Sequence, residues 1–441
     1  MPSKRVLLLT VAVSVVVSGL LPGTANAFAA SKEKVLYRFS GNDGYNPDAG
    51  LIFDASGNLY GTTYNGGANN YGVVFQLTRT ADGKWTEKVL YNFCSDNSCA
   101  DGGHPAGALT LDVAGNFYGT AIFGGSGGCW CGVVFRLSPG ASGTWVYNVL
   151  HSFTGKDGWE PDGDLIFDTA GNLYGTTAYG GAFYGSGSNG WGTVFELMPG
   201  AGGQWTEQVL HSFNNDGKDG TFPYGVVFDA QGRLYGTTVG GGDTGPACGG
   251  EGCGTVFELR PGAHGGWTER VVHNFRTGCS GSNPGSSLIF DAAGNLYGTT
   301  LYGGVAGCGS GAGCGTIFKL IPGANGRWGA TVLHRFRQHE GFFPGNLIFD
   351  AAGNLYGMTY YGGPYGNGCN GYGCGVVFRL ARCAKGRSRL TTLHAFGKGK
   401  DGSGPWGGLV MDATGNLYGT TYAGGSGCDT YGCGTVFETT P

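Results

Sequence analysis

One phrase constrains what this chain can fold into more than any other feature: Leu165-Ile166-Phe167-Asp168-Thr169-Ala170-Gly171-Asn172-Leu173-Tyr174-Gly175-Thr176-Thr177. It reads as an apolar strand, a tight turn and a second strand. The phrase returns at Leu51–Thr63, Leu288–Thr300, Leu347–Thr359 and Leu409–Thr421. Looser copies lie at Leu109–Ala121, with Phe117 in place of Leu, and at Val226–Thr238, with Arg233 in place of Asn. Seven copies at a period of about sixty residues mark a repeat architecture, in which each unit buries its apolar face against the next.

Each repeat carries four strand signals, a to d. Strand a is the Leu-Ile-Phe-Asp run, apolar enough for burial on both faces, and strand b is Asn-Leu-Tyr-Gly-Thr-Thr. Strand c is Gly192–Leu197, with counterparts starting at Gly72, Gly132, Gly254, Gly315, Gly375 and Gly434. Strand d is Val149–Phe153, with counterparts starting at Val35, Val89, Val209, Val271, Val332 and Thr392. The first strand met after the N-terminus is a d strand, Val35–Phe39, and the last is a c strand, Gly434–Glu438. The first can therefore complete the last blade, closing a ring without a free sheet edge. The pattern predicts an all-β, seven-bladed β-propeller of four-stranded antiparallel blades, spanning residues 28–441 as one domain.

Alternating strand direction sorts the connections. The a–b turn, Asp-x-x-Gly-Asn, and the c–d turn, Pro-Gly-Ala-x-Gly-x-Trp with Trp85, Trp145, Trp205, Trp267 and Trp328, are short, stereotyped and share one end of the ring. The b–c and d–a loops are long, variable and share the other end. A binding site is expected on that variable face, or in the channel mouth there.

The address is read from the N-terminus. Lys4 and Arg5 precede an apolar run from Val6 to Leu21 and then Ala25-Asn26-Ala27, the pattern of a secretory signal peptide cleaved after Ala27. A secreted chain, extracellular or periplasmic, with no membrane span after cleavage, is expected. Cleavage leaves 24 basic against 30 acidic side chains, a net charge of −6, with no dense basic stripe, which argues against nucleic acid as a partner. The chain is expected to be a monomer. Glycine is abundant at 93 residues without a strict Gly-X-Y period, so collagen is excluded.

In that compartment the 14 cysteines can pair. Cys248/Cys253, Cys308/Cys314, Cys369/Cys374 and Cys428/Cys433 occupy the same b–c loop position and predict four small disulfide loops, each worth roughly 2 kcal/mol. Cys94, Cys99, Cys129 and Cys131 lie on the variable face. A bridge across the one residue between Cys129 and Cys131 would be strained, so crosswise pairing of these four stays open. Cys279 and Cys383 fall on opposite faces and are not expected to pair.

Among polar residues, repetition argues against catalysis, because one active site needs asymmetry. His151, His211, His273, His334 and His394, replaced by Tyr37 and Tyr91 in the other copies, read as packing residues with a polar tip. Asp54, Asp112, Asp168, Asp229, Asp291, Asp350 and Asp412 read as turn formers. The non-repeating His104, Glu160, Asp162, Asp164, His339 and Glu340 are better candidates for acid–base work, though the sequence does not show that they converge. Calcium is the cofactor that loops such as Asp43-Gly44, Asp157-Gly158 and Asp401-Gly402 would take, but none has a spaced ligand pattern and they read as ordinary turns. No other cofactor or metal site is indicated.

The variable loops are rich in aromatic rings. Trp130, Trp159, Trp191, Tyr224, Phe343, Tyr365, Trp406 and Tyr431 are the candidate binding residues, since rings among glycines stack on sugars or grip peptide side chains. The competing reading is that these rings pack the glycine-rich loops down. The favoured function is a binding module for extracellular carbohydrate; a hydrolase or lyase with its site in the channel mouth, and a protein-interaction scaffold, are the alternatives.

The phrase Asp-x-x-Gly-Asn-Leu-Tyr-Gly-Thr-Thr, followed by Gly-Gly and Gly-Thr-Val-Phe-Glu-Leu, resembles the GloVer-type tandem repeat of bacterial exported proteins, over about residues 34–438. The resemblance implies an exported propeller-like array; it brings no established activity and no catalytic residues. Members carry varied C-terminal anchors, and this chain departs in showing none. The a–b phrase is also similar to the Gly-Asn-x-Tyr strand pairs of NHL-type propellers, a likeness at the level of fold.

Overall fold

The computed structural model of the protein describes residues 32–185, 188–243, 248, 250–263, 265–308, 312–364, 369–383, 388–397, 401–425, 428 and 432–441. The expected signal peptide and the candidates Tyr365 and Tyr431 lie outside these residues. Seven antiparallel blades form a closed β-propeller. In blade 3, strand a (Ile166–Phe167) pairs with b (Leu173–Thr177), b with c (Thr193–Pro199) and c with d (Trp205–Ser212). The closure is the one the chain ends imply. Lys32–Arg38 pairs antiparallel with Thr435–Thr440 and supplies the outermost strand of blade 7.

The turn-forming aspartates act as read. Asp168 accepts hydrogen bonds from the backbone of Ala170 and Asn172, the Asn172 amide and the Tyr174 hydroxyl, at 2.8–3.2 Å. In blade 4, Arg233 stands for the usual asparagine and reaches both Asp229 and the fully buried Glu258. The c–d turn tryptophans pack across seams: Trp205 lies against Tyr118, and Trp267 against Tyr174, each of the preceding blade.

The core is not central but divided among the seams between blades. At one seam Tyr118, Val134 and Phe153 of blade 2 pack against Leu165, Leu173, Phe195 and Leu197 of blade 3. Within each blade, the glycine of Tyr-Gly-Thr is fixed by close approach. A Cβ on Gly175 would sit 2.6 Å from the ring of Phe195 on strand c.

The innermost strand departs from the reading of a continuous run buried on both faces. In blades 1, 3, 5 and 7 only two residues of the Leu-Ile-Phe-Asp run pair with strand b, and they are half-buried. Upstream, pairing resumes only as single bridges, Tyr45 with Asn65, Trp159 with Tyr179, Ser282 with Tyr302 and Ser403 with Ala423. Between the two halves the chain bulges off strand b toward the ring axis. These bulges build the mouth of the channel.

Candidate functional site

Each bulge begins at a buried proline: Pro47, Pro105, Pro161, Pro223, Pro284, Pro344 and Pro405. Each proline packs on the glycine that opens strand c of the preceding blade; Pro161 Cδ, for example, lies where a Cβ on Gly132 would be 2.6 Å away. The residue before each proline has a left-handed backbone: Asn46, His104, Glu160, Phe222, Asn283, Phe343 and Gly404, with φ between 55° and 63°. Such a backbone is costly for residues with side chains and persists where the surroundings impose it.

Here the surroundings are the b–c loop of the preceding blade. The carbonyls of Cys131, Cys253, Cys374 and Cys433 accept the amides of Glu160, Asn283, Gly404 and Asn46, at 2.7–3.0 Å. Each of these cysteines is the second half of a disulfide. In the two blades without one, Tyr71 and Trp191 hold the same place and accept from His104 and Phe222. The disulfides therefore brace the mouth. Six form. Four are the expected loops, Cys248–Cys253, Cys308–Cys314, Cys369–Cys374 and Cys428–Cys433. The other two are Cys94–Cys99 and Cys129–Cys131, in place of crosswise pairing.

The four expected pairs close their small loops and also fill the seams. Cys253, Cys314, Cys374 and Cys433 are all buried in the seam cores, because each loop turns inward just before strand c. In blade 5 both halves are inside. Cys308 and Cys314 pack with Ile317, Phe336 and Phe342, and the Cys314 amide donates to the Val305 carbonyl at 3.2 Å. Cys314 directly precedes Gly315, the glycine on which Pro344 packs. Cys279 and Cys383 are free and exposed. Replacing Cys248 and Cys253 together by alanine is expected to cost roughly 2 kcal/mol, read as a lowered midpoint in denaturant.

The residue after each proline projects at the mouth, and here the seven-fold repeat breaks. In blade order the ring reads Asp48, Ala106, Asp162, Tyr224, Gly285, Gly345, Trp406. Two residues further along the chain, neighbouring blades approach each other closely. A Cβ on Gly50 would lie 3.5 Å from Ala108 and 3.3 Å from the Gly408 amide, and one on Gly225 would lie 2.5 Å from Ser287 Oγ. The Asp164 carboxylate accepts from the Ala108 amide at 2.7 Å, and the Asn346 side chain from the Ser287 amide at 2.9 Å, stitching neighbouring blades.

The mouth has two unlike walls. Blades 6, 7 and 1 contribute Tyr360, Trp406, Tyr422 and Tyr64; Tyr360 packs edge-on to Trp406 with centroids 5.5 Å apart. Blade 3 contributes Glu160, Asp162 and Asp164. All three are half-buried. Burial therefore dominates their titration. It pushes Asp48 and Asp162 each up to about 7, Asp162 with help from the charges of Glu160 and Asp164. Glu160 and Asp164 are raised by the same cause. One oxygen of Asp162 is shielded from solvent and has no hydrogen-bond partner among the described residues. Tyr224 is held well above its ordinary value by burial, and the charges of Asp164, Asp162 and Asp48 add to this. Tyr64 is raised by burial, with Glu160 and Asp48 adding. The two walls thus share one field across the mouth.

The candidate rings divide accordingly. Tyr224 and Trp406 stand in the mouth. Phe343 precedes its proline and packs on Tyr302 and Tyr361. Trp191 braces Phe222, and Trp159 packs on Tyr179 and Tyr184. Trp130 is 44% exposed on the Cys129–Cys131 loop, edge-on to Phe123. Of the polar candidates, Glu160, Asp162 and Asp164 converge. His104 stacks on Tyr64 beside them. Glu340 does not join them; it bonds His334 at the outer edge of the ring, a place that repeats in other blades. His339 is exposed. The repeating strand-d residues are packing groups with a tethered tip: His151 lies edge-on to Phe153 and bonds Asp157, and Tyr37 bonds Asp43. Sequence reasoning missed Asp48, Tyr360 and the ring as a whole. The signal available was the proline that recurs ahead of each Leu-Ile-Phe run, followed by a residue that does not recur.

The titration of the mouth has a consequence for stability. The folded-state pKa of Asp162, about 7, exceeds the ordinary 3.8. Its contribution is therefore present below about pH 4 and is lost as pH rises through 7. Asp162→Asn is expected to match the wild type at pH 4 and to exceed it by about 2 kcal/mol at pH 8. A shift of this size corresponds to ~4 kcal/mol, halved here for channel solvent. Denaturant titrations at the two pH values measure it.

Fold and mouth together define a repeat propeller whose symmetric frame carries an asymmetric ring of post-proline residues. The Gloeobacter/Verrucomicrobia repeat matches residues 23–186 and 181–371, and the chain belongs to that family. No curated protein matches the sequence. Among solved structures, a fungal alcohol oxidase of the AA5 family, in complex with copper, is similar at 14% identity and a TM-score of 0.52, over 93% of this chain and 77% of that one. A gluconolactonase from Xanthomonas campestris is similar at 16% identity and a TM-score of 0.40, over 74% of this chain and 86% of that one. A luciferin-regenerating enzyme is similar at 12% identity and a TM-score of 0.42, over 93% and 95%. At these identities the likeness is one of fold. The six disulfides are consistent with an extracellular or periplasmic protein, and no helix among the described residues is long and apolar enough to cross a membrane.

Proposed function

We propose that the protein is exported through the residue 1–27 signal, acts as a monomer, and binds carbohydrate at the channel mouth of its variable face. The observation that carries this reading is the post-proline ring with its two walls. A sugar ring offers an apolar C–H face and a rim of hydroxyls. Trp406 and Tyr360 supply stacking surface, while Asp162, Asp48 and the Tyr224 hydroxyl supply hydrogen-bond partners. Gly285 and Gly345 add no side chain to the ring; Leu301 packs against the first and the Trp406 carbonyl against the second. The test is binding of residues 28–441 to a panel of polysaccharides and cell-wall glycans. Binding is expected, weakened at least tenfold by Trp406→Ala and little changed by Trp130→Ala at the rim. No binding across the panel removes the reading.

A second reading has its own support. Asp48 and Asp162 are each poised near neutrality, and such a carboxyl suits a general acid. Hydrolysis of the bound glycan would then depend on Asp162. No product release from the wild type would leave a pure binder, and release that persists in Asp162→Asn would reject Asp162 as the acid.

A further inference from the structure

We propose that His151, Asp157 and Glu207 bind one divalent transition-metal cation of the zinc type at the outer edge of the seam between blades 2 and 3. The three come from separate elements. His151 lies on strand d of blade 2 (Trp145–Ser152), Asp157 on the loop that leaves it, and Glu207 on strand d of blade 3 (Trp205–Ser212). One ligand atom from each lies within 4.8 Å of the others. His151 Nε2 and Asp157 Oδ2 are 3.0 Å apart. One oxygen of Glu207 is closed off from solvent and has no hydrogen-bond partner among the described residues; Glu33, Glu87 and Glu269 share this at their own seams, so the approach of His151 and Asp157 is what sets this seam apart. Thr154 already donates two hydrogen bonds to the other oxygen of Asp157, which fixes that carboxylate in place.

The other seams act as internal comparisons. His211, Asp219 and Glu269 occupy the equivalent places between blades 3 and 4, and His394, Asp401 and Glu33 between blades 6 and 7. Their histidine and aspartate are eight and seven residues apart, against six for His151 and Asp157. Among the described residues only the tighter loop brings three ligand atoms together. Between blades 1 and 2 the cluster is replaced by Tyr91 stacked on Tyr147 at 3.9 Å. Where blade 5 or 6 would supply the glutamate, the sequence has Ala330 or Leu390.

Burial, together with the Asp157 charge, pushes the Glu207 carboxyl up to about 7, with His151 opposing. A cation would let both carboxylates ionise. One imidazole and two carboxylates, with water completing the shell, suit zinc better than calcium, which prefers oxygen ligands throughout. The ion would pin two neighbouring strands that otherwise share no backbone hydrogen bonds.

The experiment is calorimetric titration of chelator-treated residues 28–441 with zinc chloride, and with calcium chloride for comparison. The expected result is one zinc per chain, a melting temperature raised by zinc, and at least tenfold weaker binding in Glu207→Gln. Glu269→Gln, the same change one seam on, should bind zinc like the wild type. Should Glu207→Gln fail to fold, His151→Tyr, the residue that two other seams already use, gives the same readout. Absence of saturable zinc binding, binding that survives both variants, or a preference for calcium would each overturn the proposal.

Discussion

Deleting Lys32–Arg38 is expected to abolish cooperative folding of the ring. This strand supplies the outer edge of blade 7, paired with Thr435–Thr440 from Lys32 opposite Thr440 to Arg38 opposite Thr435. Leu36 is buried and joins Phe39, Leu51, Phe75 and Val436 in one seam cluster. Without the strand, blade 7 has three strands and a bare edge, and the seam between blades 7 and 1 loses part of its filling. A bare edge is also a template for pairing with another chain. The measurement is near-ultraviolet circular dichroism through a denaturant series, with size-exclusion chromatography. Loss of the sharp transition and appearance of oligomers are expected. A truncated chain that stays monomeric and unfolds at nearly the wild-type midpoint would show that closure is not what holds the ring.

Phe195→Ala is expected to cost about 4 kcal/mol, a large part of the 5–15 kcal/mol that typically holds a domain folded. The ring of Phe195 is fully buried. It lies edge-on to Phe153 of the preceding strand d at 5.2 Å and directly over Gly175. Strand b has glycine there because the phenylalanine fills the place of a side chain, so alanine at 195 leaves a cavity that Gly175 cannot fill. Equilibrium unfolding measures the loss. A cost under 1 kcal/mol would mean that the seams collapse around the gap and that the glycine–phenylalanine pairing is not a packing constraint.

Much of the architecture was legible because it repeats. The Asp-x-x-Gly-Asn turn, the Tyr-Gly-Thr-Thr strand and the unpaired d strand at the start were enough to count the blades, close the ring and sort its faces. The site was legible only in pieces. Asp162, Asp164, Tyr224 and Trp406 were visible as residues, but repeat analysis looks for what recurs, and the mouth is made where a recurring proline is followed by something different. Asp48 was hidden for this reason, between Pro47 and the repeated Leu51. The half-buried state of strand a was hidden too. Its Leu-Ile-Phe run looks like a doubly covered strand, yet the bulge after each proline shortens it, and its side chains divide between the two seams: Leu165 and Phe167 pack toward the preceding blade and Ile166 toward the next. The cysteine spacing showed four of the six pairs and left Cys94, Cys99, Cys129 and Cys131 open; it did not show that Cys314 and its counterparts sit inside the seams, since burial depends on the neighbouring blade. Trp191 reads as a binding-face aromatic in the sequence, and Tyr71 lies in the matching loop of blade 1. Their place in the fold, where other blades put a disulfide, follows from long-range hydrogen bonds that no local pattern encodes.

The most direct measurement of the central claim is a crystal structure of residues 28–441 with the tightest-binding oligosaccharide of the panel. The expected result is a sugar ring seated against Trp406 and within hydrogen-bonding distance of Asp162 and Tyr224, inside the ring of post-proline residues. A ligand bound instead at the rim around Trp130, or on the face of the a–b turns, would contradict it.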